Sequence, residues 1–312
     1  MSFRVYKETA GISENISDLT QSIESLEDLT RLFELEQKQW SLYSSIEMNT
    51  EFDTDFAMEQ LVLSDGKKVY SWDGLEWKET SNISGDKFRI SGDGKRIAGI
   101  DTDKIKVYYD NISSWTQVGG DIGFTGVSKV LINEDGGLVV GKGDTTVKIY
   151  RWTNGTFWDQ VGAELPNISN IISLNGEFLC TQSNEDIDIY RISDNTVELI
   201  QTIEVANPIA HHRDHTLIVA DRKSNSVDVY EYKEGKFVQT STIETSSFVT
   251  DVYTNGREVV VLVDDGQIRV YDIRSGQQVG NREDTDNNAR IDDTGSRVSV
   301  SQGGSIKSFV YF

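Results

Sequence analysis

The chain has 312 residues, and its 51 acidic and 30 basic side chains give a formal net charge of −21. A surface this acidic repels phosphate groups, so the composition argues against nucleic acid and anionic membrane surfaces as partners. The single cysteine, Cys180, excludes an intrachain disulfide, and no apolar run approaches the roughly 18 residues that a membrane span requires.

The N-terminal segment, residues 1–12, lacks the basic start and apolar run of a secretory signal. We therefore expect an intracellular protein. The same segment carries the string YKET at residues 6–9, which matches WKET at residues 77–80 in three of four positions. The match indicates that residues 1–12 form a strand equivalent to one found later in the chain.

Residues 13–45 are predicted to form an inserted amphipathic helix, because apolar residues recur there at spacings of three, four or seven. These residues are Leu19, Ile23, Leu26, Phe33 and Trp40. Ser17 or Asp18 could cap the start of this helix. Its apolar face would either pack on the rest of the protein as a cap or dock a protein partner or a second copy.

From residue 46 to residue 312, a short β-type run that ends in an aromatic residue recurs about every 40 residues. The aromatic positions are Tyr70, Tyr108, Tyr150, Tyr190, Tyr230, Tyr271 and Phe309. Each unit reads as four strands, and Gly, Asn or Asp between the first two strands supplies the positive φ angles of short hairpins. The repeat predicts an all-β fold, a single seven-bladed β-propeller.

Two columns of equivalent residues support this interpretation. The aromatic column falls on the third strand of each unit, where a large ring suits packing between blades. The second column lies on the fourth strand and comprises Gln117, Gln160, Gln201, Gln239 and Gln278. After Phe309 three residues remain, so the last unit lacks a fourth strand, and we expect residues 1–12 to supply it and close the ring.

The three histidines of the chain, His211, His212 and His215, are gathered in the string AHHRDH. Imidazole and carboxylate groups at this density could hold zinc or copper. However, adjacent residues of a strand point to opposite faces, so His211 and His212 cannot easily reach one ion. A polar turn between the first two strands of the fifth blade is the favoured interpretation.

Asp284, Asp286 and Asn288 alternate as calcium ligands do, but Ala289 and Gly295 stand where a calcium loop needs glycine and glutamate. The sequence also contains no nucleophile elbow and no phosphate-binding glycine loop. We therefore expect no catalytic residues, no metal and no cofactor.

Three strings carry a family resemblance. IRVYDIRSG (268–276) resembles the third strand and turn of a WD-repeat blade, whereas SSWTQVGGDI (113–122) and GTFWDQVGAEL (155–165) resemble repeats of FG-GAP-like propellers. WD-repeat proteins are mostly scaffolds, and FG-GAP-like ones are mostly surface or adhesive proteins, familiar from bacteria, algae and their large DNA viruses. The chain lacks the Gly-His pair of the first family and the regular D-x-D-x-D-G loops of the second.

The resemblance implies a non-enzymatic protein-interaction scaffold or structural module, with a protein as the expected partner. One alternative is a surface or virion structural or adhesion protein, for example of an algal virus, which would place the chain on a virus particle. Another is a hydrolase or lyase that uses the mouth of the propeller channel.

Overall fold

The computed structural model of the protein describes residues 40–47, 52–55, 57–63, 68–73, 75–111, 114–153, 155–263, 266–285, 289–294 and 297–311. Within these residues the regular elements are β-strands, which form small antiparallel sheets. The first strand of each sheet borders a central channel, so the arrangement is that of a β-propeller.

The first described strand is β1 (Trp40–Glu47), and three blades of consecutive strands follow it. Blade 1 contains β2 (Phe52–Thr54), β3 (Gln60–Leu63), β4 (Lys68–Trp72) and β5 (Trp77–Asn82). Blade 2 contains β6 (Asp86–Ile90), β7 (Arg96–Ile100), β8 (Lys104–Asp110), β9 (Trp115–Gln117) and β10 (Ile122–Gly123). Blade 3 contains β11 (Lys129–Ile132), β12 (Leu138–Lys142), β13 (Thr146–Thr153), β14 (Phe157–Gln160) and β15 (Leu165–Pro166).

Three further blades follow in the same way. Blade 4 contains β16 (Asn170–Leu174), β17 (Phe178–Ser183), β18 (Asp186–Ile192) and β19 (Val197–Glu204). Blade 5 contains β20 (Pro208–Arg213), β21 (Thr216–Asp221), β22 (Ser226–Lys233) and β23 (Lys236–Glu244). Blade 6 contains β24 (Val249–Thr254), β25 (Glu258–Val263), β26 (Gln267–Asp272) and β27 (Gln278–Asp284).

In blades 2 and 3 the outer strand is interrupted. β9 and β10 both pair with β8, and β14 and β15 both pair with β13. Gly119 and Gly162 follow β9 and β14 with φ angles of 69° and 64°, a backbone conformation that glycine adopts at little cost. The shared Gln-Val-Gly string of the two repeats therefore encodes this break.

The remaining sheet is a composite of the two ends of the described chain. β28 (Ala289–Ile291), β29 (Arg297–Gln302) and β30 (Ser305–Tyr311) supply three strands, and β1 pairs with β30 as the fourth. Leu42 lies opposite Phe309, and Ile46 lies opposite Ile306. This pairing covers the outer edge of β30, an edge that would otherwise be open to other strands.

The prediction of a seven-bladed propeller with an inserted helix, closed by residues 1–12, is therefore wrong. Six blades consist of consecutive strands, and the sheet that closes the ring is completed by Trp40–Glu47 rather than by residues 1–12. The helix predicted over residues 13–45 is wrong at residues 40–45, which are strand, and the described part of the chain contains no helix. Residues 1–39 lie outside the described residues. The physical reason is that Trp40–Glu47 pairs with β30 along its length, and this tertiary contact overrides the helical spacing of the apolar residues.

The aromatic column packs between blades, as its sequence position predicts. Tyr108 of blade 2 joins a buried cluster with Val62 and Val69 of blade 1. Tyr271 of blade 6 joins a cluster with Val227 of blade 5 in the same way. Each ring thus fills space against the preceding blade, and the core of the protein lies between neighbouring sheets.

Candidate functional site

The central channel forms a cavity with a volume of about 500 Å³. Volumes of this size hold small organic ligands. Five basic and four acidic side chains line it, although acidic residues far outnumber basic ones in the whole chain. We call the end where the first strands begin the front mouth, and the end where they turn into hairpins the hairpin mouth.

The middle of the channel carries a ring of equivalent residues, one from the first strand of each sheet. We call this set the channel ring: Asp53, Arg89, Leu131, Ser173, His211, Tyr253 and Arg290. Except for His211, which precedes Arg213, each lies two positions before a residue that caps the following hairpin. The repeat therefore places one side chain per sheet at the same depth.

Neighbouring members of the channel ring contact one another from sheet to sheet. The rings of His211 and Tyr253 lie 5.6 Å apart, and the guanidinium of Arg290 lies 4.4 Å from the centre of the Tyr253 ring. Arg290 Nε donates to Asp53 Oδ1 at 3.1 Å, and Asp53 Oδ2 accepts the backbone N–H of Ile90 at 3.1 Å. One continuous chain of contacts thus links blades 5 and 6, the composite sheet, and blades 1 and 2.

Burial keeps two members of this chain of contacts, His211 and Tyr253, uncharged. Burial lowers the pKa of His211 to about 3, and burial raises the pKa of Tyr253 to about 12. The backbone N–H of Thr254 donates to His211 Nδ1 at 3.3 Å, so the ring proton of His211 is on Nε2. The hydroxyl of Tyr253 donates to Asp251 at 3.0 Å.

At the hairpin mouth a second column of residues caps the turn after the first strand of most sheets. In Asn175 and Asn255 the side-chain oxygen accepts two backbone N–H groups of its own hairpin, at 2.6–2.9 Å. Their amide nitrogens donate to the next sheet, Asn175 to the carbonyl of Asp214 at 2.9 Å and Asn255 to that of Asp292 at 3.2 Å. These residues therefore fix the hairpin and join it to its neighbour.

Arginine residues make the same kind of link. Arg96 donates to the carbonyl of Asp135 at 3.4 Å, and Arg297 donates to that of Met58 at 3.0 Å. Arg213 forms an ion pair with Glu134 at 3.5 Å, which joins blade 5 to blade 3. The hairpin mouth is thus a rim of loops that hydrogen bonds and ion pairs tie together.

The predicted histidine cluster separates in the structure. His211 faces the channel, whereas His212 is buried between the rings of Phe178 and Phe237, and His215 stacks on Tyr232 at the hairpin. Burial lowers the pKa of His212 to about 4. Among the described residues, no group of three His, Cys, Asp or Glu side chains is placed to hold a metal ion.

Other predicted positions fall mostly outside the described residues. Leu19, Ile23, Leu26 and Phe33 lie there, whereas Trp40 begins β1 opposite Tyr311. Asp286 and Asn288 also lie outside, so the structure does not test the calcium-like loop. A sequence signal exists for most of the channel ring: except at Leu131 and His211, a polar residue stands two positions before the capping residue of a hairpin, where a buried strand is usually apolar.

No protein-family model and no curated protein matches this chain. In the part of the chain that the structure describes, no helix has the length and apolar character needed to cross a membrane. The arrangement of its small antiparallel sheets places the protein in the class of β-propellers.

Proposed function

We propose that this chain is a non-enzymatic interaction scaffold that binds a protein partner at its hairpin mouth. The observation that carries the proposal is the rim of mutually hydrogen-bonded hairpins, for example Asn175 to Asp214 and Asn255 to Asp292. Loops that are already fixed lose little conformational entropy on binding, so they favour recognition. Propellers commonly serve as interaction scaffolds, although a fold alone does not assign a function.

The chemistry of the rim indicates a basic partner surface. Exposed acidic side chains outnumber exposed basic ones on these hairpins. The acidic residues are Glu59, Asp93, Asp135, Glu177, Asp214 and Asp293, and the basic ones are Lys95 and Arg257. Complementary charge speeds association, and added salt screens the attraction between the charges. Binding should therefore weaken as the ionic strength rises.

Site-specific photo-crosslinking tests the proposal with two positions of the same blade. A photoreactive amino acid replaces Glu177 on the hairpin, and in a matched variant it replaces Glu198 on the exposed outer strand. We expect one protein to be crosslinked reproducibly from position 177 and not from position 198. Equal crosslinking from both positions, or none from position 177, would contradict the proposal.

A hydrolase or lyase is the second candidate, because His211 and Tyr253 lie together in the channel beside Arg290. The hydrogen bonds that occupy His211 Nδ1 and the Tyr253 hydroxyl favour a positional role for both side chains instead. Turnover of a glycan or ester that disappears in Tyr253→Phe would favour the enzyme. The intracellular location, the virion alternative and the likeness to WD-repeat and FG-GAP-like proteins remain sequence-based predictions.

A further inference from the structure

Two junctions between blades hold an arginine against the aromatic rings of both neighbours. At the junction of blades 4 and 5, the guanidinium of Arg191 lies 6.0 Å from the centre of the Phe178 ring and 5.5 Å from that of Tyr232. The carboxylate of Glu177 lies 3.6 Å from Arg191 Nε. The charge of this arginine therefore already has a partner within the protein.

The junction of blades 2 and 3 repeats this arrangement without the carboxylate. The guanidinium of Arg96 lies 5.9 Å from the centre of the Tyr109 ring in blade 2 and 5.7 Å from that of Trp152 in blade 3. Within the described residues, this guanidinium donates to the backbone carbonyl of Asp135 at 3.4 Å, and no carboxylate forms an ion pair with it. Its positive charge is therefore uncompensated, in a chain whose net charge is −21.

Blade 3 fixes the position of this cation. A Cβ on Gly136 would lie 2.7–3.1 Å from three carbons of Arg96, so the aliphatic stem of the arginine rests on that glycine. The nearby carboxylate of Asp135 accepts the backbone N–H of Gly137 at 2.7 Å and the amide of Asn133 at 2.9 Å, so it serves its own hairpin. A cation that is held in place before binding loses little conformational entropy when a ligand arrives.

The two rings beside Arg96 carry polar groups without a partner in the described part of the chain. Tyr109 is 39% exposed, and neither its hydroxyl nor the indole N–H of Trp152 forms a hydrogen bond there. By contrast, the indole N–H of Trp158, whose ring lies 5.1 Å from that of Trp152, donates to the carbonyl of Val118 at 3.3 Å. A guanidinium, a hydroxyl and an indole N–H of neighbouring side chains are thus open to a ligand.

We propose that the junction of blades 2 and 3 binds an acidic sugar, a uronic acid residue of a glycan. A guanidinium recognises a carboxylate through two parallel N–H···O hydrogen bonds, so Arg96 holds the acid group. The hydroxyls of the sugar pair with the polar groups of Tyr109 and Trp152, and its C–H groups pack against the two rings.

Two further points bear on this site. At an ionic strength of about 0.15 M, charges farther away than about 8 Å are largely screened, so the acidic remainder of the chain does not prevent an anion from binding. The recognising side chains stand on second and third strands of their blades, β7, β8 and β13, so the proposal does not rest on the protein partner of the hairpin mouth.

Trigalacturonate is the probe, and isothermal titration calorimetry of the full chain in about 0.15 M sodium chloride is the measurement. We expect saturable binding at one site per chain. Galactotriose, the neutral counterpart, should bind at least about tenfold more weakly, because it cannot form charge-assisted hydrogen bonds with Arg96. The proposal is overturned if trigalacturonate shows no saturable binding, or if galactotriose binds as tightly.

Variants locate the site on the protein. Arg96→Gln should weaken the binding of trigalacturonate at least about tenfold. Arg191→Gln is the matched control, because Arg191 also lies against two rings but pairs with Glu177, and it should leave the affinity unchanged.

A further variant separates lost binding from lost folding. Tyr109→Leu retains the charge of Arg96 and removes an exposed ring and its hydroxyl, so it should weaken binding at least about threefold while urea unfolding stays nearly unchanged. Wild-type affinity in Arg96→Gln or in Tyr109→Leu would overturn the proposal, as would an equal loss of affinity in Arg191→Gln.

Discussion

Arg290 and Asp53 are 237 positions apart in the sequence, yet Arg290 Nε lies 3.1 Å from Asp53 Oδ1. Their side chains are 17% and 13% exposed, so water screens the pair little. Arg290 belongs to the composite sheet and Asp53 to blade 1, so the ion pair crosses the seam at which the ring closes. Burial alone would lower the pKa of Arg290, but Tyr253 and Asp53 outweigh it and raise that pKa.

Replacing Arg290 by methionine should destabilise the protein by about 3 kcal/mol, because Asp53 would keep a poorly solvated charge without its partner. Urea unfolding measures the loss. The double variant Asp53→Asn with Arg290→Met should recover part of it, since no unpaired charge remains. Arg274→Met, at an exposed turn, is the control. Equal losses in the single and double variants would show that the pairing of charges is not what stabilises the seam.

Asp55 gives blade 1 a pH dependence that the asparagine-capped hairpins do not share. Its Oδ1 accepts the backbone N–H groups of Glu59 and Gln60, both at 2.8 Å, as the oxygen of Asn175 does in blade 4. Burial raises the pKa of Asp55 from 3.8 to about 6. The folded state therefore holds the proton more tightly than the unfolded chain, and the stability that Asp55 contributes is lost as the pH rises through 6.

We expect Asp55→Asn to remove this dependence and to stabilise the protein at pH 8. The free energy of unfolding of the wild type should fall, relative to Asp55→Asn, by about 1.4 kcal/mol between pH 5 and pH 8. Asp194→Asn is the matched control, because the Asp194 side chain is 97% exposed. Parallel stability curves for the wild type and Asp55→Asn over this pH range would contradict the assignment.

The aromatic column could be predicted from sequence because each of its members repeats the same local environment. Tyr108 and Tyr271 occupy equivalent positions of the third strand, and each packs against the preceding blade. The closing strand could not be predicted in the same way. The match of residues 6–9 to residues 77–80 covers four residues, whereas the observed closure depends on the register of Trp40–Glu47 along the whole of β30.

The same distinction between local pattern and contacts across sheets applies to the candidate site. The separation of His211 from His212 follows from strand alternation, so it could be predicted from the sequence. The contact of His211 with Tyr253, and that of Arg290 with Asp53, join different sheets. No local motif encodes such contacts, because they depend on how neighbouring sheets are placed around the channel.

Gln201 links two blades through a two-pronged contact. Its Oε1 accepts the backbone N–H of Phe237 at 2.7 Å, and its Nε2 donates to the carbonyl of the same residue at 2.9 Å. Gln201→Ala should cost about 2 kcal/mol in unfolding free energy, since both backbone groups lose a partner at once. Gln160→Ala is the control from the same sequence column, because Gln160 is exposed and donates to Gly162 within its own blade. Equal effects of the two substitutions would contradict an inter-blade role for Gln201.

Gly99 lies in β7 beneath the ring of Phe88, which is fully buried between blades 1 and 2. A Cβ at position 99 would overlap that ring, so Gly99→Ala must displace Phe88 or the strand. We expect a loss of about 2–3 kcal/mol, the usual cost of overfilling a packed interior. Gly123→Ala provides the contrast, because no atom lies within 4 Å of its added methyl group. Without a clash, that substitution should leave stability unchanged or raise it by about 0.5 kcal/mol through the unfolded chain. Urea unfolding of both variants decides the matter: if Gly99→Ala is as stable as Gly123→Ala, Phe88 does not fill the space over Gly99.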